Sequence, residues 1–139
     1  MKSNKIFFLF ATIFFFAACN SSTNENGEEP MAEISFLDTT YNFGDIPFDS
    51  DGRCYFEFTN TSKKELIIYN VRSSCGCTRP EWPEEPIKPG KKSRIGISYN
   101  TKLVGNFNKN ITVYSNTEDS PIKLFIKGNV EDVKPVKNK

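Results

Sequence analysis

Two cysteines one residue apart are the side chains best placed to do chemistry: Cys75 and Cys77, in the run Ser74-Cys75-Gly76-Cys77-Thr78. Their spacing puts two sulfurs within reach of each other or of one metal ion. A local disulfide needs Cα atoms about 4.4–6.8 Å apart. Two residues of extended chain span roughly 7 Å, and a bend at Gly76 closes the gap. Such a bond closes a very small loop, so it gains little loop entropy and is readily reduced. A second arrangement bridges either cysteine to Cys54. If Phe58 lies beside Leu66 in a hairpin, Cys54 lies near Asn70, several residues short of Cys75, and a buried inert thiol is the simpler reading of Cys54. A third arrangement is a soft-metal site, since two thiolates suit Cu(I). Further ligands would have to come from Cys54 or a second molecule, and zinc lacks its four. Familiar thiol–disulfide catalysts place Cys-x-x-Cys at a helix start. Here the spacing is shorter and Arg79-Pro80-Glu81-Trp82-Pro83 blocks a helix, although Arg72 and Arg79 favour thiolates.

The chain has no histidine. That removes Ser-His-Asp and Cys-His catalysis, His-ligated metal, and the usual base at neutral pH. The expectation is a protein that is not an enzyme. Of its 139 residues, 18 are basic and 17 acidic. So balanced a chain has no nucleic-acid footprint, and Lys63-Lys64 and Lys91-Lys92 read as solvated turns.

The first residues read as a leader. Lys2 and Lys5 precede an apolar run from Ile6 to Ala18. The run falls short of the ~20 residues of a spanning helix and fits a signal peptide over residues 1–18. Ala17-Ala18-Cys19 resembles the bacterial lipobox, in which the cysteine becomes the first mature residue and carries acyl chains, palmitate among them. Lipid on Cys19 leaves Cys54, Cys75 and Cys77 in an oxidising compartment, an odd number. Asn20 to Glu29 holds no apolar residue, so residues 19–31 read as a flexible tether.

Residues 32–131 are expected to form one all-β domain, and 132–139 a basic tail. Cys54, Phe56 and Phe58 alternate with Arg53, Tyr55, Glu57 and Thr59, as in a half-buried strand. Leu66–Val71 is β-branched, and Val71 breaks the alternation, which marks a bulge. Ile95, Ile97 and Tyr99 share a face and follow the turn Ile87-Lys88-Pro89-Gly90. Phe107, Lys109, Ile111 and Val113 share another, and Ile122, Leu124 and Ile126 a third. Ile34 and Phe36 begin the domain, with Tyr41–Gly44 as a short continuation. No window carries a capped helical period. About seven strands separated by turns predict an antiparallel, immunoglobulin-like β-sandwich. A small β-barrel is the alternative.

Ordered phrases run along this domain. They are Phe43-Gly44-Asp45-Ile46, Phe56-x-Phe58-Thr59-Asn60-Thr61, Leu66-Ile67-Ile68, Ser74-Cys75-Gly76-Cys77-Thr78, Ile87-x-Pro89-Gly90 and Ile111-x-Val113-x-Ser115-Asn116. Together, over residues 33–131, they resemble a bacterial family of envelope lipoproteins known only as domain of unknown function fifteen seventy-three. That family is similar to Hydin-type and major-sperm-protein-type sandwiches. The resemblance implies that Cys75 and Cys77 are the family's paired cysteines. It also implies export and lipid anchoring, as in Bacteroidetes-like bacteria. It implies no activity, and fold alone supplies none.

Three other features are candidates for contact or modification. Trp82, the single tryptophan, lies in a Pro-rich loop from Arg79 to Pro89; its ring either covers the core edge or anchors a partner. Tyr114 and Phe125 are expected diagonally adjacent on an outward face, across a hairpin turning at residues 116–120. Asp38-Thr39-Thr40 resembles a short bacterial O-glycosylation acceptor, with Thr39 as the site. The reading is a lipid-anchored module on the outer membrane, facing the periplasm or the cell surface, which binds an envelope protein or glycan. The alternative is thiol redox or copper handling at Cys75 and Cys77.

Overall fold

The period-2 stretches pair as strands. The computed structural model describes residues 31–133. The leader, Cys19, most of the tether and most of the tail lie outside them. Eight strands follow in order: β1 (Ile34–Phe36), β2 (Thr40–Pro47), β3 (Arg53–Asn60), β4 (Ile68–Ser73), β5 (Thr78–Glu81), β6 (Lys92–Tyr99), β7 (Gly105–Ser115) and β8 (Ile122–Glu131). One sheet has the order β1-β3-β6-β5 and the other β2-β8-β7-β4. The sandwich is therefore established as two four-stranded sheets, with no helix among the described residues.

The faces predicted from alternation are the faces found. Cys54, Phe56 and Phe58 of β3 and Ile95 and Ile97 of β6 point inward from the first sheet. Ile111 and Val113 of β7 and Leu124, Ile126 and Val130 of β8 meet them from the second. Each such aliphatic side chain contributes about 1.5–3 kcal/mol by leaving water. Tyr99 and Phe107 stack at 3.9 Å between the sheets. A register shift between Ile68 and Asn70 supplies the bulge that returns Val71 to the core. Gly90 takes a φ of 71°, as its turn requires.

Four relationships differ from the sequence reading. Tyr41–Gly44 does not continue the first strand. The chain leaves β3 at Leu37, whose N–H bonds Glu57, and joins β8 at Thr39, whose carbonyl accepts the Phe125 N–H. β2 then runs parallel to β8, the one parallel strand pair among the described residues. β3 and β4 form no hairpin, because they lie in different sheets. Cys54 therefore pairs with Ile97 and has no neighbour in Asn70. The Arg79–Pro89 segment opens with a strand, β5, instead of a loop throughout. Pro80 is tolerated there because β5 is an edge strand with β6 as its single neighbour.

Buried asparagine fastens the open end. Asn60 is fully buried, donates to the carbonyls of Lys64 (2.7 Å) and Ile87 (2.8 Å), and accepts from the Ser62 N–H and hydroxyl. Asn116 holds the 65–67 segment by accepting from the Ile67 N–H and donating to the Glu65 carbonyl. These two residues explain why polar letters recur at the ends of strand phrases.

Candidate functional site

The cysteine loop joins β4 of one sheet to β5 of the other. Cys75 and Cys77 are joined by a disulfide, with their Cα atoms 5.3 Å apart. Both are half-buried, and Cys77 packs against the core. The loop is well held. The Ser73 hydroxyl bonds the carbonyls of Cys75 and Thr78, and the Asn100 N–H donates to the Cys77 carbonyl. The Thr78 hydroxyl lies 3.5 Å from one sulfur and 3.9 Å from the other. In this state neither sulfur is a thiolate, so the pair offers no soft-metal ligand. Cys54 is a free thiol facing the core, and burial pushes its pKa up to about 12. Among the described residues no three His, Cys, Asp or Glu side chains gather as a metal cluster.

The other sequence candidates are dispersed. Trp82 is half-buried and packs against the core beside β5. Thr39 is exposed at the sheet-to-sheet crossing. Tyr114 and Phe125 are not diagonal neighbours: Phe125 faces Asn110, four residues along β7 from Tyr114. That separates them by about 13 Å along the strand. The long pairing of β7 with β8 sets this register, closing at Val113 with Ile122.

A row of asparagines that starts beside Phe125 and runs away from Tyr114 was not legible in the sequence. Asn106, Asn108 and Asn110 alternate with Phe107, Lys109 and Ile111, so their amides form a row on the outward face of β7. Asn42 and Asn129 join the row from β2 and β8, and Asn70 from β4. Asparagine is depleted in strands, and Thr or Lys would solvate a face at less cost. The alternating run Gly105-Asn106-Phe107-Asn108-Lys109-Asn110 was the available signal. The side chains of Asn70, Asn106, Asn108 and Asn110 make no hydrogen bond to a described residue, so each keeps a donor and an acceptor for a ligand.

At one end this face dips into a shallow, open depression of about 580 Å³. Asn42, Asp45, Asn106, Asn108, Lys127 and Asn129 rim it, with Phe107 beneath. Its shape depends on a bulge in β2, where Phe43 and Gly44 together oppose Gly128. Gly44 has a φ of 66° and donates its N–H to the Asn42 side chain. A Cβ on Gly128 would lie 2.8 Å from the Phe107 ring and 2.9 Å from Phe43. Asp45 accepts a hydrogen bond from Asn129 at 3.1 Å. So open a surface does not enclose a small molecule; it suits an extended ligand laid along the sheet.

The outward face of the first sheet is different. Tyr55 lies opposite Gly96, its ring 4.2 Å from the Arg94 guanidinium, and Glu57 stands opposite Arg94. There the Arg94 guanidinium is engaged by the Tyr55 ring.

The family described as protein of unknown function (DUF1573) matches residues 34–130. This chain belongs to that family. No curated protein sequence matches it. Among solved structures, a protein of unknown function from Porphyromonas gingivalis W83 is similar over 72% of this chain, at 15% identity and a TM-score of 0.64. This chain spans 47% of that protein. The ASH/PapD-like domain 7 of human CEP192 is similar at 8% identity and a TM-score of 0.62, over 76% of this chain and 89% of that one. The secreted serine protease VesC from Vibrio cholerae is similar at 13% identity and a TM-score of 0.55, over 73% of this chain and 24% of its own. At these identities the likenesses establish an immunoglobulin-like, PapD-like fold, and the family carries no established activity.

Proposed function

We propose that this DUF1573 protein is a lipid-anchored, non-enzymatic binding module of the bacterial cell envelope. The observation that carries the proposal is the row of asparagine amides on β7 that no described residue engages, with Phe125 beside Asn110 and Tyr114 four residues further along the strand. An amide offers one group that donates and one that accepts, matched to hydroxyls and to peptide groups alike. Aromatic rings supply contact area at small entropic cost. The Cys19 anchor and polar tether would hold this face near the membrane, and acyl chains contribute about 0.8 kcal/mol per buried methylene. The absence of histidine and the open site both favour binding over catalysis.

The test is retention of purified mature protein on lipid-extracted envelope fragments from the cells that make it, where the acyl anchor finds no bilayer. Replacing Asn106, Asn108 and Asn110 by Ala is expected to abolish retention. Replacing Arg53 and Tyr55, on the opposite face, is expected to leave it intact. Equal retention of both variants contradicts the proposal.

One contact favours a second reading, thiol exchange or copper handling at Cys75 and Cys77. The Thr78 hydroxyl touches both sulfurs and would donate to a thiolate formed when a partner dithiol reduces the bond. Counting free thiols and bound copper on one native sample distinguishes the readings. A disulfide that resists mild dithiol, with no copper after reduction, removes the second.

A further inference from the structure

Resting on the binding-module reading above, we infer that the ligand of the second-sheet face is an acidic polysaccharide lying along β8. Its carboxylates meet Lys123 and Lys127, and a sugar ring between them stacks on Phe125. These three side chains occupy successive outward positions of β8. The two lysines stand about 13 Å apart along the strand, with the ring at the midpoint. Phe125 is 38% exposed, and neither lysine makes an ion pair with a described residue. Arg72 extends the cationic row, because it and Lys123 flank Thr112 on either side.

The strand and turn acids of this face keep to its two ends, and Asp38 precedes by two residues Thr40, the β2 partner of Phe125. Asp45 and Glu131 lie beyond Lys127, and Asp45 is already engaged by Asn129. Glu118 and Asp119 sit in the β7–β8 turn at the other end. The middle is left electropositive, complementary to a polyanion. The amides select the kind of polyanion. Asn110 lies beside Phe125 and Asn108 beside Lys127. A sugar hydroxyl donates and accepts at one oxygen and fits a free amide on both counts. An acidic polypeptide would offer carboxylates to the lysines but no ring face with hydroxyls around it.

The test is calorimetric titration of the mature protein with polygalacturonate, with neutral dextran and with polyglutamate, at low and high salt. Polygalacturonate is expected to bind, and to bind more weakly at high salt. Lys123→Gln with Lys127→Gln is expected to lower its affinity about tenfold, and Phe125→Ala by a similar factor. All three positions are exposed, and a melting curve checks that each variant is folded. Dextran or polyglutamate binding as tightly as polygalacturonate overturns the inference, as does an unchanged affinity in the lysine variant. If it is overturned while the asparagine variant still loses envelope retention, the module stands with a different ligand. If retention also survives, both readings fall.

Discussion

Ser74 and Asn110 are tied to each other twice. The Ser74 N–H donates to the Asn110 carbonyl at 3.0 Å, and the Ser74 hydroxyl accepts the Asn110 N–H at 3.3 Å. The disulfide loop is thus fastened to the asparagine row of the proposed binding face. A local bond at one edge of the sandwich thereby bears on the position of a side chain on the outward face of the second sheet.

Cutting that bond should loosen the row locally. In a Cys75→Ser, Cys77→Ser variant, global stability is expected to fall by at most about 2 kcal/mol, because the closed loop is so short. Amide hydrogen exchange should quicken at Ser74 and Asn110 and stay slow at Val113, deep in the β7–β8 pairing. Unchanged exchange at Asn110 contradicts the coupling.

Asn60→Ala removes the amide that organises the loop after β3. It leaves the Ser62 N–H unpaired and withdraws a bond from two carbonyls. The expected loss is about 2–4 kcal/mol, read as a lower urea midpoint at unchanged slope. A loss under about 1 kcal/mol contradicts the role assigned to the buried amide.

The inward faces were legible in the sequence because alternation is local. Phe56 with Phe58, Ile95 with Ile97, and Leu124 with Ile126 carry the period of 2 in plain view. Partnership was not legible, because it depends on distant chain. Nothing near Phe58 says that its neighbours are Phe36 and Ser93 instead of Leu66. The crossing at Leu37–Thr39 sends β2 to the other sheet, where its partner is some 85 residues away at Phe125. The Ser-Cys-Gly-Cys-Thr run advertised itself, since cysteine chemistry is residue-specific. The asparagine row did not: Asn reads as a turn residue, and only its alternation with Phe107 and Ile111 betrays a strand.

Cys54 should be chemically silent in the folded state. Its folded pKa, pushed up to about 12, lies above the ordinary thiol value because burial disfavours the thiolate. The folded state therefore holds its proton where the unfolded state releases it. The stability difference is present below pH ~9 and is lost as pH rises from there toward 12. A thiol reagent at pH 8 is expected to modify Cys54 only after denaturant is added. Modification at the same rate without denaturant contradicts its placement.

Cys19 should carry lipid. Cells fed labelled palmitate are expected to label the wild-type protein, and the Cys19→Ser variant is expected to be unlabelled and to leave the membrane fraction. Labelling that survives the substitution places the lipid elsewhere, and a wild-type protein that stays unlabelled contradicts the anchor.

The most direct measurement of the central claim is nuclear magnetic resonance of the 15N-labelled mature domain, titrated with solubilised envelope polysaccharide. The side-chain amides of Asn106, Asn108 and Asn110 should shift, while those of Asn60 and Asn116, already engaged within the fold, should stay in place. Shifts confined to Cys75–Thr78, or to the Tyr55 face, would contradict the account.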